Sequence, residues 1–499
     1  MTDGDKDKWW TLGAVCVATF MLLLDITIVN VALPDIAKDL KSSFSDLQWV
    51  VDAYALGLAA LLLSAGSLAD RVGRRRVFAG GIVVFTAASL LCALSSSPFA
   101  LDLARALQGV GGAAMFATSL ALIASAFSGR ERGTAFGLWG ATIGAAVAVG
   151  PLIGGALTQG IGWEAIFLIN LPIGVLALFV TVTRVAESRD EHAARLDLPG
   201  VGAFSGGLFL LIFALVRGNA EGWGSALITG FLVGGAVLLV VFVAIEARST
   251  HPMLDLALFR KPAFGGASIA AFALSASMFA MFLYLTLYIQ NTLGYKPFDA
   301  GLRFLPVSLV SFLVAPLAGR LSERMPVRWL IGGGLVLVGI GLLLMSGIDA
   351  RSGWTALLPG FLFAGAGVGL VNAPLGSTAI RVAPPQRAGM ASGINSTFRQ
   401  VGIATGIAAY GALFQHLLAS KASGPLARVP AEVLATGRPL PGPARAPYLE
   451  IFTASLSDLF VVAAIVAFAG AALSAALLRP RDFAPAPAAG PGAHEAAVA

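Results

Sequence analysis

Gly66-Ser67-Leu68-Ala69-Asp70-Arg71-Val72-Gly73-Arg74-Arg75-Arg76 interrupts two apolar runs, near residues 47–69 and 76–96. Each run is about 20 residues long, enough to cross a bilayer as a helix. Four arginines within six residues cannot stay in hydrocarbon. The stretch is therefore a short turn between two membrane helices, and its glycines allow the turn to be tight. A basic cluster in a short loop also marks the cytoplasmic side, so Arg71, Arg74, Arg75 and Arg76 orient both helices at once.

The rest of the chain reads outward from this hairpin. Its 499 residues are 57% hydrophobic and 12% charged, with a mean hydropathy of +0.84, whereas soluble domains carry about 25% charged residues. Apolar runs of spanning length recur near 9–33, 47–69, 76–96, 99–127, 133–158, 164–184, 199–216, 225–246, 264–290, 300–319, 328–347, 355–380, 388–415 and 452–478. The chain is thus expected to be an all-α polytopic membrane protein with 14 transmembrane helices. The N-terminus, the even-numbered connections and the C-terminus hold about 21 Lys and Arg, the odd-numbered connections about 9, which predicts cytoplasmic termini. The formal charge of +6 then reflects membrane orientation, not nucleic-acid binding. Residues 3–8 resemble the charged start of a signal peptide, but the following run is too long and lacks a small-residue cleavage site. It is read as an uncleaved helix.

Enzyme chemistry finds no foothold. Gly-Lys never occurs, so no phosphate-binding P-loop exists, and His192, His251, His416 and His494 have no metal-ligand spacing. No metal and no cofactor are expected. Cys16 and Cys92 lie at different depths in their helices, roughly 10 Å and 24 Å from the cytoplasmic ends, too far apart to bridge. Residues 417–450, rich in Pro, Ala and Gly, are expected to form an external loop with little packed structure. Residues 479–499 read as a disordered cytoplasmic tail.

Three charged residues stand inside the apolar runs: Asp25, Asp52 and Arg105. Counted from the nearest external helix ends, all three lie roughly 8–14 Å deep, so they can share one layer. An acid at that depth is retained only where it faces protein or water. All three are proton-coupling candidates; a static ion pair of Arg105 with one acid is the plainer alternative, and it still leaves one acid over.

Several motifs resemble those of the major facilitator superfamily. Residues 66–76 resemble its motif A, G-x-L-a-D-r-x-G-r-k, carried here by Gly66, Asp70, Arg71, Gly73, Arg74 and Arg75, and a degenerate copy follows the tenth run at Gly319–Arg328. Leu101–Ala113 resembles motif B, with Arg105 as its arginine. Gly150, Pro151, Gly154 and Gly155 resemble the antiporter motif C, a pattern equally expected where helix backbones pack closely. Leu24–Pro34 is similar to the first-helix motif of the fourteen-helix drug:proton antiporter branch, and Trp163–Pro172 to its sixth-helix motif without the usual basic residue after the tryptophan. The resemblance implies a major facilitator fold with a cytoplasmic N-terminus (1–8), an N-terminal six-helix half (9–184), a linker holding two additional helices (185–250) and a C-terminal six-helix half (251–478). It implies proton-coupled efflux of a small-molecule substrate across a bacterial cytoplasmic membrane, with motif A governing switching. The partners expected are protons, substrate and the bilayer, with a monomer as the working oligomeric state.

Asp52 within Gln48–Tyr54 makes the chain similar to quaternary-ammonium and dye exporters, which favours lipophilic cations as cargo. Arg399 and Asn395 share one face of the thirteenth run, and Met278, Met281, Tyr284 and Tyr288 one face of the ninth; these are substrate-cavity candidates, although ordinary helix packing accounts for the same pattern. Export of a single self-made metabolite, such as an antibiotic, siderophore or lipid precursor, is the chief alternative. A transporter-like receptor that moves nothing is the other.

Overall fold

The computed structural model describes residues 3–127, 129–189, 197–249, 252–322, 324–382 and 388–478. The tail at 479–499, Glu323 of the second basic turn, and linker residues 190–196, 250 and 251 lie outside them. Among the described residues the chain is entirely helical. It runs through α1 (Asp3–Asp39), α2 (Phe44–Val72), α3 (Arg74–Ala93), α4 (Pro98–Ala126), α5 (Gly129–Gly160), α6 (Ala165–Arg184), α7 (Leu198–Glu221), α8 (Ala226–Arg248), α9 (Pro262–Thr292), α10 (Pro297–Leu321), α11 (Val327–Met345), α12 (Leu358–Val382), α13 (Ala388–Lys421) and α14 (Arg445–Leu477). Twelve are long and apolar enough to cross a membrane, and α2 and α5 join them when their bent segments are counted as one span each.

Both bends have local causes. Helix α5 turns by 41° between Ala146 and Ala148, where Pro151 has no N–H to offer the carbonyl four residues back. Helix α2 turns by 50° between Leu62 and Ser64, beside the Gly66-Ser67 pair that weakens the helix there. Helix α6 is interrupted at Ile169, just ahead of Asn170 and Pro172. Helix α9 contains two π-helical turns, Ser275–Phe279 and Tyr288–Thr292.

Helices α1 to α6 pack as one group and α9 to α14 as another, while α7 and α8 pair together and α7 leans on α2 and α13. The groups meet chiefly along α2–α13 and α5–α10. On the face that the arginine bias predicts to be external, called outer below, polar bonds tie them together. Gln290 Nε2 donates to Val31 O at 2.6 Å, Gln48 Nε2 to Ile407 O at 2.9 Å, and the Phe298 amide to Gln159 Oε1 at 3.2 Å.

Residues 417–450 are far more ordered than their composition suggests. They form short helical turns, Gly424–Arg428 and Ala431–Ala435, that bury Leu426, Leu434 and Ala435. The segment bonds to both groups. The Ser45 amide donates to Glu432 Oε1 at 3.3 Å and Arg438 to Pro34 O at 3.4 Å, while Asn291 Nδ2 reaches Thr436 O at 2.7 Å. What reads as a loose loop is a cap over the outer mouth, because apolar side chains spaced among the prolines have a helical surface to cover.

Candidate functional site

Asp25 lies at the centre of a hydrogen-bonded network. Helix α1 carries it into contact with α4, where Arg105 Nη1 donates to its Oδ2 at 2.5 Å and Gln108 Nε2 to its Oδ1 at 2.8 Å. The break in α6 turns Asn170 inward, and its Nδ2 reaches the same Oδ1 at 3.0 Å. Ser89 of α3 accepts from both Gln108 and Asn170, at 2.9 and 3.2 Å. Arg105 is anchored further, since its Nε donates to Val50 O at 3.0 Å and its guanidinium lies 4.3 Å from the Tyr54 ring centre. Asp25 is 0% exposed and Arg105 1%. This geometry holds a charge pair in low dielectric with its lone pairs answered, the condition under which a buried ion pair persists.

Asp52 is the acid left over. It too is 0% exposed, and neither carboxyl oxygen has a hydrogen-bond partner. Such a carboxyl is costly to bury, and it can gain or lose a proton without breaking an existing bond. Asp25 and Asp52 thus occupy the two environments that a charge-bearing layer can offer, one saturated and one empty-handed.

A narrow cavity of about 30 Å³ lies between the two helix groups. It is lined by Ile26, Thr27 and Asn30 of α1, Val51 of α2, Pro151 of α5, Phe279 and Phe282 of α9, Ser308 of α10, and Ile403 and Ile407 of α13. None of these side chains ionises. The polar groups are few: Thr27 and Asn30 spend their donors on their own helix carbonyls, leaving Asn30 Oδ1 and the Ser308 hydroxyl for a guest.

The other candidates occupy different places. Met281 is fully buried; the Tyr284 hydroxyl donates to Ile407 O at 2.7 Å and Tyr288 to Ser352 O at 3.1 Å. Asn395 Nδ2 donates to Ala267 O at 3.2 Å, and Arg399 Nη1 to Asn372 Oδ1 at 2.8 Å. None of the five is in the cavity lining. Helix α9 presents Phe279 and Phe282 to the cavity instead. Gln108 and Asn170 escaped notice as site residues; the signal for Gln108 was its position three residues after Arg105, on the same helix face.

Motif C is a contact surface. A methyl group on Gly155 would lie 2.7 Å from Phe298 Cα, and one on Gly154 would lie 2.9 Å from Ile28 Cα. Gly150 faces Thr27, and Gly301 of α10 faces the Pro151 carbonyl in return. Motif A forms a latch on the opposite face. Arg74 Nε donates to Asp70 Oδ1 at 2.9 Å, and Gly73 adopts φ +120°, open to glycine alone in practice. Its missing side chain makes room for Glu187, whose Oε1 accepts from the Arg75 amide at 3.0 Å and so caps α3. Glu187 also lies 3.8 Å from Arg75 Nε and 3.7 Å from Arg76 Nε. Arg71 is exposed, and Gly66 stands in open space beside the α2 bend.

Comparison with known proteins agrees with this architecture. The family model described as Major Facilitator Superfamily matches residues 15–407. The chain is 39% identical over 417 residues to the multidrug resistance protein Stp of Mycobacterium tuberculosis, covering 83% of this chain and 78% of that one. It is 38% identical to the puromycin resistance protein pur8 of Streptomyces alboniger (81% of each chain) and 35% identical to the tetracenomycin C resistance and export protein of Streptomyces glaucescens (81% and 76%). Its fold is similar to that of a bacterial homolog of the human lysosomal transporter Spinster, solved inward-facing and unoccupied, with a TM-score of 0.63, 17% identity and coverage of 96% and 99%. With its all-helical fold, a cavity between two helix groups and these relatives, the chain belongs to the Major Facilitator Superfamily as a membrane transporter related to multidrug- and antibiotic-resistance exporters.

Proposed function

We propose that this chain exports lipophilic drugs or antibiotics across a bacterial cytoplasmic membrane in exchange for protons, by alternating access, with both termini in the cytoplasm. The observation that carries the reading is Asp52, a wholly buried carboxyl without a partner, one residue from cavity-lining Val51. In the proposed cycle a proton arriving from outside neutralises Asp52, the site releases its cargo, and the emptied cavity returns to face the cytoplasm. Asp25 and Arg105 position the layer around it, and motifs A and C control which face is open.

The lining contains no charge, so recognition is assigned to shape, to the rings of Phe279 and Phe282, and to the Asn30 and Ser308 acceptors. A positive charge on the cargo adds attraction to Asp52 from behind Val51, which keeps lipophilic cations within the proposed spectrum without requiring them. The test is ΔpH-driven uptake into everted vesicles of a neutral lipophile, a monocation and a dication. Transport of none of them above empty-vector vesicles, or transport indifferent to ΔpH, would sink the proposal. A second reading, export of one metabolite made by the same cell, draws on the relatives described by puromycin and tetracenomycin C resistance; transport confined to a single compound of a diverse panel would favour it.

A further inference from the structure

Asp52 has no direct contact with the cavity. Val51 is the α2 residue in the lining, and adjacent side chains leave a helix about 100° apart. On its other flank α2 runs alongside α4 in a register set by the Arg105 bond to Val50 O and by the close approach of Gly57 to the Ala106 carbonyl. That register brings Asp102, one helical turn outward from Arg105, beside α2 between Asp46 and Asp52. Asp102 is partly exposed and has one carboxyl oxygen buried without a partner. Asp46 stands at the outer start of α2, where its Oδ2 accepts from the Ser43 amide at 2.8 Å.

The charged and titratable groups around this seam are few. By charge, Asp46 and Arg105 act on Asp102, Asp102 on Asp52, and Asp52 on Tyr284 of α9, whose ring packs against Tyr410 of α13. Arg105 is committed to Asp25, Gln108 and Val50, and Tyr284 donates to Ile407 O. Asp102 is the group that joins partial exposure to a free, buried carboxyl oxygen at a depth between Asp46 and Asp52.

We propose that Asp102 is the relay by which protons travel between the outer surface and Asp52, along the α2–α4 seam and apart from the path of the cargo. The inference rests on the proton-coupled reading above. In the transfer, the O–H bond of protonated Asp102 breaks as an O–H bond forms on the Asp52 carboxylate, directly or through one water. Asp102 is left as a carboxylate and reloads from external water near Asp46. Cargo moves through the interface between the helix groups, so the two routes approach each other only across the Val51–Asp52 step of α2. The fully buried Asp52, whose two carboxyl oxygens have no hydrogen-bond partner, supplies a reason for a relay: a proton must be brought to it.

The test uses the full chain in proteoliposomes, with Asp102→Asn and Asp102→Glu compared in two assays. One is export driven by an imposed pH gradient; the other is cargo–cargo exchange at equal pH, which needs no net proton movement. Asp102→Asn is expected to slow gradient-driven export by about tenfold or more, to flatten its dependence on external pH, and to leave exchange within about twofold of wild type; Asp102→Glu is expected to restore the driven rate. Equal losses in both assays would make Asp102 a structural residue and overturn the relay, as would an unaltered driven rate. A wild-type protein that exchanges cargo but ignores the pH gradient would overturn proton coupling itself, an outcome visible before any variant is compared.

Discussion

Gly155→Ala is expected to prise the outer face open. In the structure α5 meets α10 there so closely that the new methyl carbon falls 2.7 Å from Phe298 Cα and 2.9 Å from the Pro297 carbonyl carbon. Ordinary contact begins near 3.4 Å and the Pro297 carbonyl oxygen is nearer still than Phe298 Cα, so the helices must separate by more than 0.7 Å, and backbone atoms cannot swing aside as a side chain would. Overpacking of this kind costs about 1–3 kcal/mol. The cost falls only on the conformation in which α5 and α10 touch, so it shifts the balance toward an outward-open form by about 5- to 150-fold, at tenfold per 1.4 kcal/mol. The assay is labelling of Asn30→Cys, in the cavity, by a membrane-impermeant thiol reagent added outside, after Cys16 and Cys92 have been replaced. Labelling should rise and net export should fall, because return to the closed form is penalised. Gly140→Ala on the same helix, where nothing lies within 4 Å, is the control. Unchanged labelling with normal expression would show that the contact is not a switching surface.

Asp25→Asn should remove gradient-driven export of every substrate and also lower thermal stability, since it strands Arg105 without a counter-charge at a cost of about 3–5 kcal/mol; a wild-type melting temperature would contradict the ion-pair geometry. Asp52→Asn should do the reverse, abolishing proton-driven export with no loss of stability, because no bond is broken; a destabilised variant with normal transport would return Asp52 to a packing role. Glu187→Ala removes the cap from α3 and is expected to cost about 1 kcal/mol, altering the transport rates of all substrates by one common factor of about five; loss of a single compound, with others untouched, would place the latch in substrate choice.

The number of spans was legible because hydrocarbon thickness dictates run length, and run length is written directly in the chain. The Asp25–Arg105 layer was legible for the same reason, as charge at depth has few excuses. Neutral polar residues have many. Gln108 and Asn170 complete the Asp25 shell, yet a lone amide in an apolar run says nothing of which way it points. The packing account of the α9 face was legible too: Met278, Met281, Tyr284 and Tyr288 are all buried, whereas the two π turns of that helix leave no mark in its apolar run. The 41° bend of α5 is written in Pro151; the 50° bend of α2 has no proline and only a Gly-Ser pair to announce it. Residues 417–450 were misread because Pro, Gly and Ala dominate their composition, while the buried Leu418, Leu426, Leu434, Ala435 and Tyr448 that anchor them are only five of thirty-four.

The ordering of that outer segment creates a composite epitope. Glu432 at the start of α2, Arg438 on the carbonyl of Pro34 and Asn291 under Thr436 bring three distant parts of the chain into one accessible surface. Those parts are joined only while the two helix groups are closed outward. An antibody fragment or small folded binder raised against the assembled surface would recognise one conformer and, by mass action, accumulate it. Arrest of the exporter would then need no molecule that crosses the membrane or competes for the cavity, a route indifferent to how broad the substrate spectrum is.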